Sequence, residues 1–181
     1  MHRLFVAVDP PPEVSERLHA LRDETLDARW MESGNHHLTL KFIGNVDAER
    51  RDVVAEALRD VAAPPALVAL EALTVFPSWR RPSVLVVLAK HEKSLMRLQE
   101  DVEKVLQKAR IEPESKPFSP HITIARIRRT VPEAVRSFVR IASMPSLPPF
   151  QANGFRLYES QTKPEGAVYT CLAEYPLEVT H

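Results

Sequence analysis

A single cysteine, four glycines and no excess of either charge close off several routes to function. Cys171 alone cannot form an internal disulfide and excludes a cysteine-based zinc site. Its apolar surroundings predict a buried, inert thiol. The four glycines form no glycine-rich phosphate loop, which argues against Rossmann and P-loop nucleotide binding. Lys+Arg and Asp+Glu both number 24, so bulk attraction to a polyanion is not implied. Any anion site must come from local placement, such as Arg80-Arg81 or the run Arg126-Ile127-Arg128-Arg129. No hydrophobic run is long enough to span a membrane. The apolar stretch at the N-terminus is too short for a signal peptide and ends at acidic Asp9. These absences lead to the expectation of a cytoplasmic protein.

What is present is an ordinary globular composition, 44% hydrophobic and 27% charged over 181 residues, enough to bury a core. Leu4–Asp9 reads as a strand. Prolines then open a helix with Val14, Leu18 and Leu21 on one face. Leu38–Ile43 is a second strand, and Asp47 caps a helix that Pro64-Pro65 terminates. Leu67–Phe76 and Val84–Ala89 are predicted strands. Leu95, Leu98, Val102, Val105 and Leu106 mark another helical face, and Ile122–Ile127 a further strand. Pro132 opens a short helix through Phe138 and Val139. Phe150–Glu159 and Val168–Tyr175 close the chain as a hairpin.

This order repeats. Strand Leu4–Val8 and its helix correspond to Val84–Leu88 and its helix, and residues 73–78 (L-T-V-F-P-S) correspond to 155–160 (F-R-L-Y-E-S). His37-Leu38-Thr39-Leu40 corresponds to His121-Ile122-Thr123-Ile124. The expected architecture is α+β, a bilobal duplicated fold with mostly antiparallel sheets. Pseudo-twofold related lobes would flank a central cleft. The chain reads as a single domain, 1–181, with lobe-forming repeats 1–82 and 83–181.

In a strand, residues i and i+2 share a face. His37 and Thr39 therefore point together, opposite Leu38 and Leu40, and His121 and Thr123 do the same opposite Ile122 and Ile124. Two imidazoles can supply an acid and a base near neutral pH. Two hydroxyls can hold phosphate oxygens. In-line displacement at phosphorus needs those groups and no metal. A zinc site would need a third ligand, and no Asp, Glu or Cys lies two residues from either histidine. His36 would face away from His37 and lead into the strand. His2, His19, His91 and His181 fit no pattern and are read as surface residues. The two motifs are nearly symmetric, so the residues alone do not say which histidine is acid and which is base.

The paired motifs, with R-L-F-V-A-V-D at 3–9, R-W at 29–30, N-H-H-L-T-L-K-F-I-G at 35–44, V-F-P-S at 75–78, R-R-P at 80–82, K-P-F-S-P-H-I-T-I-A-R at 116–126 and L-Y-E-S at 157–160, resemble the 2H phosphoesterase superfamily. More narrowly, the chain is similar to the RNA 2′,3′-cyclic phosphodiesterases, once called 2′-5′ RNA ligases. The resemblance implies metal-independent, cofactor-free opening of RNA 3′ ends bearing 2′,3′-cyclic phosphate, leaving 2′-phosphomonoesters. It implies His37 as proton donor, His121 as proton acceptor, and Thr39 and Thr123 as phosphate-binding residues. Arg126, Phe5 and Phe118 are further candidates for RNA contacts. By strict alternation Arg126 points away from His121, so a bulge or strand end would have to re-aim it. The expected state is a monomer. Reversible 2′-5′ ligation is the same chemistry run backwards. The alternatives are a relative acting on other 2′-5′-linked or cyclic nucleotides, and a non-catalytic module that binds RNA ends.

Overall fold

Both faces of β1 (His2–Val8) are covered, because its residues Leu4–Val8 are all buried. Leu4, Val6 and Val8 join the main core, while Phe5 and Ala7 pack with Tyr158 and Tyr169 on the other side. The computed structural model describes residues 1–142 and 144–178. After β1 come α1 (Pro12–His19), β2 (Ala28–Trp30), β3 (Leu38–Val46), α2 (Ala48–Ala57), β4 (Ala66–Val68), β5 (Leu70–Pro77) and β6 (Pro82–Ala89). The rest is α3 (Lys93–Lys108), β7 (His121–Ile127), α4 (Pro132–Ile141), β8 (Phe150–Ala152), β9 (Gly154–Lys163) and β10 (Gly166–Pro176).

The local signals work as their chemistry requires. Pro12 and Pro132 begin α1 and α4, where a missing N–H costs nothing. The Asp47 carboxylate accepts the Arg50 N–H at 2.8 Å and caps α2. On α3, Leu95, Leu98, Val102 and Leu106 are fully buried at helical spacing. These residues share one core with Leu38, Ile122 and Ile124, so the helices cover one face of the sheet.

The main sheet runs β10-β9-β1-β3-β7-β6-β5, with β2 also paired to β7, and every pairing in it is antiparallel. The six strands from β9 to β5 read the same from either end once β1 is equated with β6, β3 with β7 and β9 with β5, which is the signature of a duplicated fold. The halves meet between β3 and β7 through one ladder pair, Leu38↔Ile122.

Three expectations change. The predicted strand Leu67–Phe76 breaks at Ala69: β4 pairs with β8 in a separate small sheet, and β5 joins the main one. Phe150–Ala152 therefore leaves the terminal hairpin, which is β9 with β10. Cys171 is exposed, not buried, because among the described residues β10 is the edge strand of its sheet. Partial burial still pushes its thiol pKa up, which disfavours the reactive thiolate. Among the unassigned histidines, His2 is half-buried and bonded to Glu159 at 2.6 Å. His181 lies outside the described residues.

Candidate active site

The Leu38↔Ile122 pair fixes the geometry of the site. Both side chains are fully buried and face the helix layer. In the register of that pair, His37 stands across from Thr123 and Thr39 across from His121, all on the opposite face. One ladder pair thus brings both His-x-Thr units together. Beyond it the two strands part, and a cavity of about 410 Å³ opens over the seam. His37, Thr39, Thr123, Arg126, Arg3 and Phe42 are among the residues lining it. His121 is not among the lining residues, and its ring is edge-on to Phe76 at 4.8 Å.

The two histidines are oriented differently. His37 Nδ1 lies 2.8 Å from Asp9 Oδ1. A carboxylate only accepts there, so Nδ1 carries the proton and Nε2 is left for another partner. Nε2 is buried and has no hydrogen-bond partner among the described residues, which suits it to meet a ligand atom. The ring is wedged between Phe5, Tyr158 and Tyr169, with centroids 5.7, 4.6 and 5.2 Å away. Asp9 is itself held: its Oδ2 accepts from the Tyr158 hydroxyl at 2.6 Å and from Arg156 at 2.8 Å. Burial alone would push the Asp9 carboxyl up. Hydrogen bonds from His37 and Tyr158, with the charges of His37 and Arg156, outweigh it and keep the group below the usual carboxylate value. The same burial, and its bond to Asp9, push the Tyr158 phenol well above its ordinary range. His121 Nδ1 instead lies 2.7 Å from the Ser119 carbonyl, which also leaves Nε2 as its free nitrogen.

Arg126 reaches the cavity by the device the alternation argument required. Leu85 pairs with Ala125 and Val86 with Thr123, so Ile124 is an extra residue on β7. Ile124 and Ala125 are consecutively buried, and Arg126 emerges on the face of Thr123. The same bulge occurs in the first half. Val6 pairs with Lys41 and Ala7 with Thr39, making Leu40 the extra residue. Lys41 turns into the core, 3.0 Å from Glu103 Oε1 and donating to the Glu112 carbonyl at 2.8 Å. Phe42 turns out to the cavity, 47% exposed, with the Arg3 guanidinium 5.1 Å from its ring centre. Strict alternation would have buried it.

The other aromatic candidates fare differently. Phe5 borders the cavity, but its ring is 5% exposed and engaged with His37, Tyr158 and Tyr169, so it forms a wall and not a stacking platform. Phe118 packs against the core and lines none of the cavities described. Asp9, Tyr158, Arg156 and Phe42 were not anticipated from sequence. Asp9 stood in plain view at the end of the first strand, but its pairing with His37 spans 28 positions.

Comparison with known proteins agrees with this geometry. The model of the LigT like Phosphoesterase family matches residues 8–86 and again 88–169, once per half. An RNA 2′,3′-cyclic phosphodiesterase of Archaeoglobus fulgidus is 32% identical over 170 residues, covering 92% of this chain and 96% of that one. An RNA 2′,3′-cyclic phosphodiesterase of Thermus thermophilus is 34% identical over 197 residues, covering 99% and 92%. A crystal structure of a Thermus thermophilus protein superposes with a TM-score of 0.75 at 29% identity, covering 99% of this chain and 100% of that one. With a duplicated antiparallel fold, two His-x-Thr units facing one another across its seam and relatives matched end to end, this chain belongs to the LigT-like family of 2H phosphoesterases.

Proposed function

We propose that the protein opens 2′,3′-cyclic phosphates at RNA 3′ ends, leaving a 2′-phosphomonoester. The observation that carries this reading is the placement of His37, Thr39, His121 and Thr123 on one face by a single ladder pair. Relatives at about a third identity over most of the chain carry the corresponding name.

In this mechanism His121 takes the proton of the attacking water. The water oxygen bonds to phosphorus, the bond from phosphorus to the 3′-oxygen breaks, and His37 gives its proton to that oxygen. Thr39 and Thr123 hold the non-bridging oxygens, on which charge gathers as the new bond forms. The unequal settings of the two histidines support this division of roles. The Asp9 carboxylate balances the charge of a protonated His37, as a proton donor requires. His121 is backed by a neutral carbonyl, which orients an uncharged ring as a base. Arg126 adds a fixed positive charge beside the phosphate site. All of these groups come from one chain, which fits action as a monomer, and an RNA-end substrate fits the cytoplasm. Among the described residues no helix is long and apolar enough to cross a membrane.

The test is an end-group assay with a short RNA ending in 2′,3′-cyclic phosphate, in EDTA. The expected product is the 2′-phosphate, lost in His37→Ala and in His121→Ala. Tight binding with an unchanged cyclic end would replace the enzyme with a binding module. Cleavage only of 2′-5′ linkages would move the substrate within the family.

A further inference from the structure

The two halves of the duplicated sheet correspond residue by residue. In the first, Thr39 pairs with Ala7 and Ala7 with Arg156, while Phe5 pairs with Tyr158. In the second, Thr123 pairs with Val86 and Val86 with Thr74, while Val84 pairs with Phe76. Arg156 thus corresponds to Thr74, and Tyr158 to Phe76. Asp9, two residues past Ala7, corresponds to Leu88, two residues past Val86. The aromatic contact is kept in both halves: the Tyr158 ring is 4.6 Å from that of His37, and the Phe76 ring 4.8 Å from that of His121. The polar groups are not kept. Phe76 shows that packing a histidine ring in this place needs a phenyl ring and no hydroxyl.

The Tyr158 hydroxyl serves Asp9 instead. It donates to Asp9 Oδ2 at 2.6 Å, and Arg156 donates to the same oxygen at 2.8 Å, which leaves Oδ1 for His37 Nδ1 at 2.8 Å. Tyr158 is 5% exposed, and burial with the Asp9 bond keeps its phenol protonated, so it remains a donor. Donors on a carboxylate stabilise its charge and make it a weaker base. Asp9 therefore orients the His37 ring without drawing on its proton as strongly as an unsupported carboxylate would.

We infer that Tyr158 is a positioning residue for the proton donor: its hydroxyl fixes one oxygen of Asp9 and moderates the pull of the other on His37, so that the ring is held yet releases its proton. This deepens the hydrolase reading and rests on it for the direction of proton transfer. With Leu88, Phe76 and Thr74 in the corresponding places, the second half gives His121 no such support. Two nearly identical His-x-Thr units are thereby made unequal, one an acid and the other a base. The remaining titratable and charged groups around His37 are Tyr169, the adjacent His36, the cavity-lining Arg3, Arg29 and Arg126, and Glu174, which lies 3.0 Å from Arg156. Removing the Tyr158 hydroxyl leaves all of them in place.

Tyr158→Phe tests this with a side chain that the second half already carries in the corresponding place. On a cyclic-ended RNA its kcat should fall about tenfold with KM within about twofold, the scale of one hydrogen bond to a charged group. The alkaline limb of the rate profile, where the acid loses its proton, should move up by about one pH unit while the acid limb stays. In an Asp9→Asn background the same substitution should cost less than about twofold, because a residue that acts through Asp9 has nothing left to act through. An alkaline limb that stays or moves down, or a tenfold loss repeated in the Asp9→Asn background, overturns the inference. NMR titration of His37 in the resting wild type and Tyr158→Phe proteins reads the same upward shift without substrate, and its absence also overturns the inference. If the shift appears and the wild type opens no cyclic end, the coupling through Asp9 stands and the hydrolase reading falls.

Discussion

Acid should weaken this fold through His36, and the size of the effect follows from its surroundings. His36 is 2% exposed. The Ser15 hydroxyl donates its one proton to the Ser33 carbonyl at 2.6 Å, so its oxygen accepts from His36 Nδ1–H at 2.9 Å. Nε2 is buried without a partner among the described residues. Protonation would place a charge there, out of water and near His19 and His37. Burial first, then those two neighbours, push the group down to about 4. The unfolded chain takes up this proton near its ordinary value of about 6.5. Between those values the unfolded state binds more protons, so stability falls as pH falls. The contribution is complete above pH 6.5 and lost by pH 4, about 3 kcal/mol in all. Between pH 7 and pH 5 the loss is about 2 kcal/mol. The variant His36→Leu fills a similar volume with nothing to titrate and leaves the Ser15–Ser33 bond in place. Urea unfolding of both proteins at pH 7, 6 and 5 should show the wild type losing that amount in excess of the variant. Stability curves that stay parallel over this range would refute the burial argument.

Asp9→Asn should leave the cavity intact but free His37 to take the wrong tautomer, lowering kcat by about 100-fold or more with little change in KM. Steady-state kinetics on a cyclic-ended RNA check this, and an unchanged kcat would remove Asp9 from the mechanism. Lys41→Met should leave the half-buried Glu103 without its cation and cost about 3 kcal/mol in urea unfolding, whereas Lys41→Met combined with Glu103→Leu should restore most of it. A double variant no better than the single one would show that the pair is not coupled. The rate of the wild type should trace a bell against pH, since one histidine must start protonated and the other neutral. A rate rising steadily into alkali would count against two-histidine catalysis.

Much of the fold was legible because its signals are local. Prolines, Asp47 and the spacing of Leu95, Leu98, Val102 and Leu106 set the helices within single stretches of chain. Alternation on β3 and β7 separated His37 and Thr39 from Leu38, and His121 and Thr123 from Ile122. Burial then had only one way to turn those strands. The repetition of this pattern announced the duplicated architecture and the paired motifs that define the site.

What sequence left open depends on contacts between distant segments. A bulge exists only relative to a partner strand, so the extra residues Leu40 and Ile124 become visible with β1 and β6 alongside. Those bulges bury Lys41 and turn Phe42 and Arg126 toward the cavity, against strict alternation. The Asp9–His37 pair and the Asp9–Tyr158 pair likewise join residues 28 and 149 positions apart. The exposure of Cys171 was decided by the place of β10 at the sheet edge, which its own apolar neighbours do not encode. Sequence alone determined which chemical groups the protein carries and which face of its strand each motif residue takes, because periodicity is a property of the backbone. Tertiary structure decided which partners surround those groups, because register and strand order are set by packing across the whole sheet.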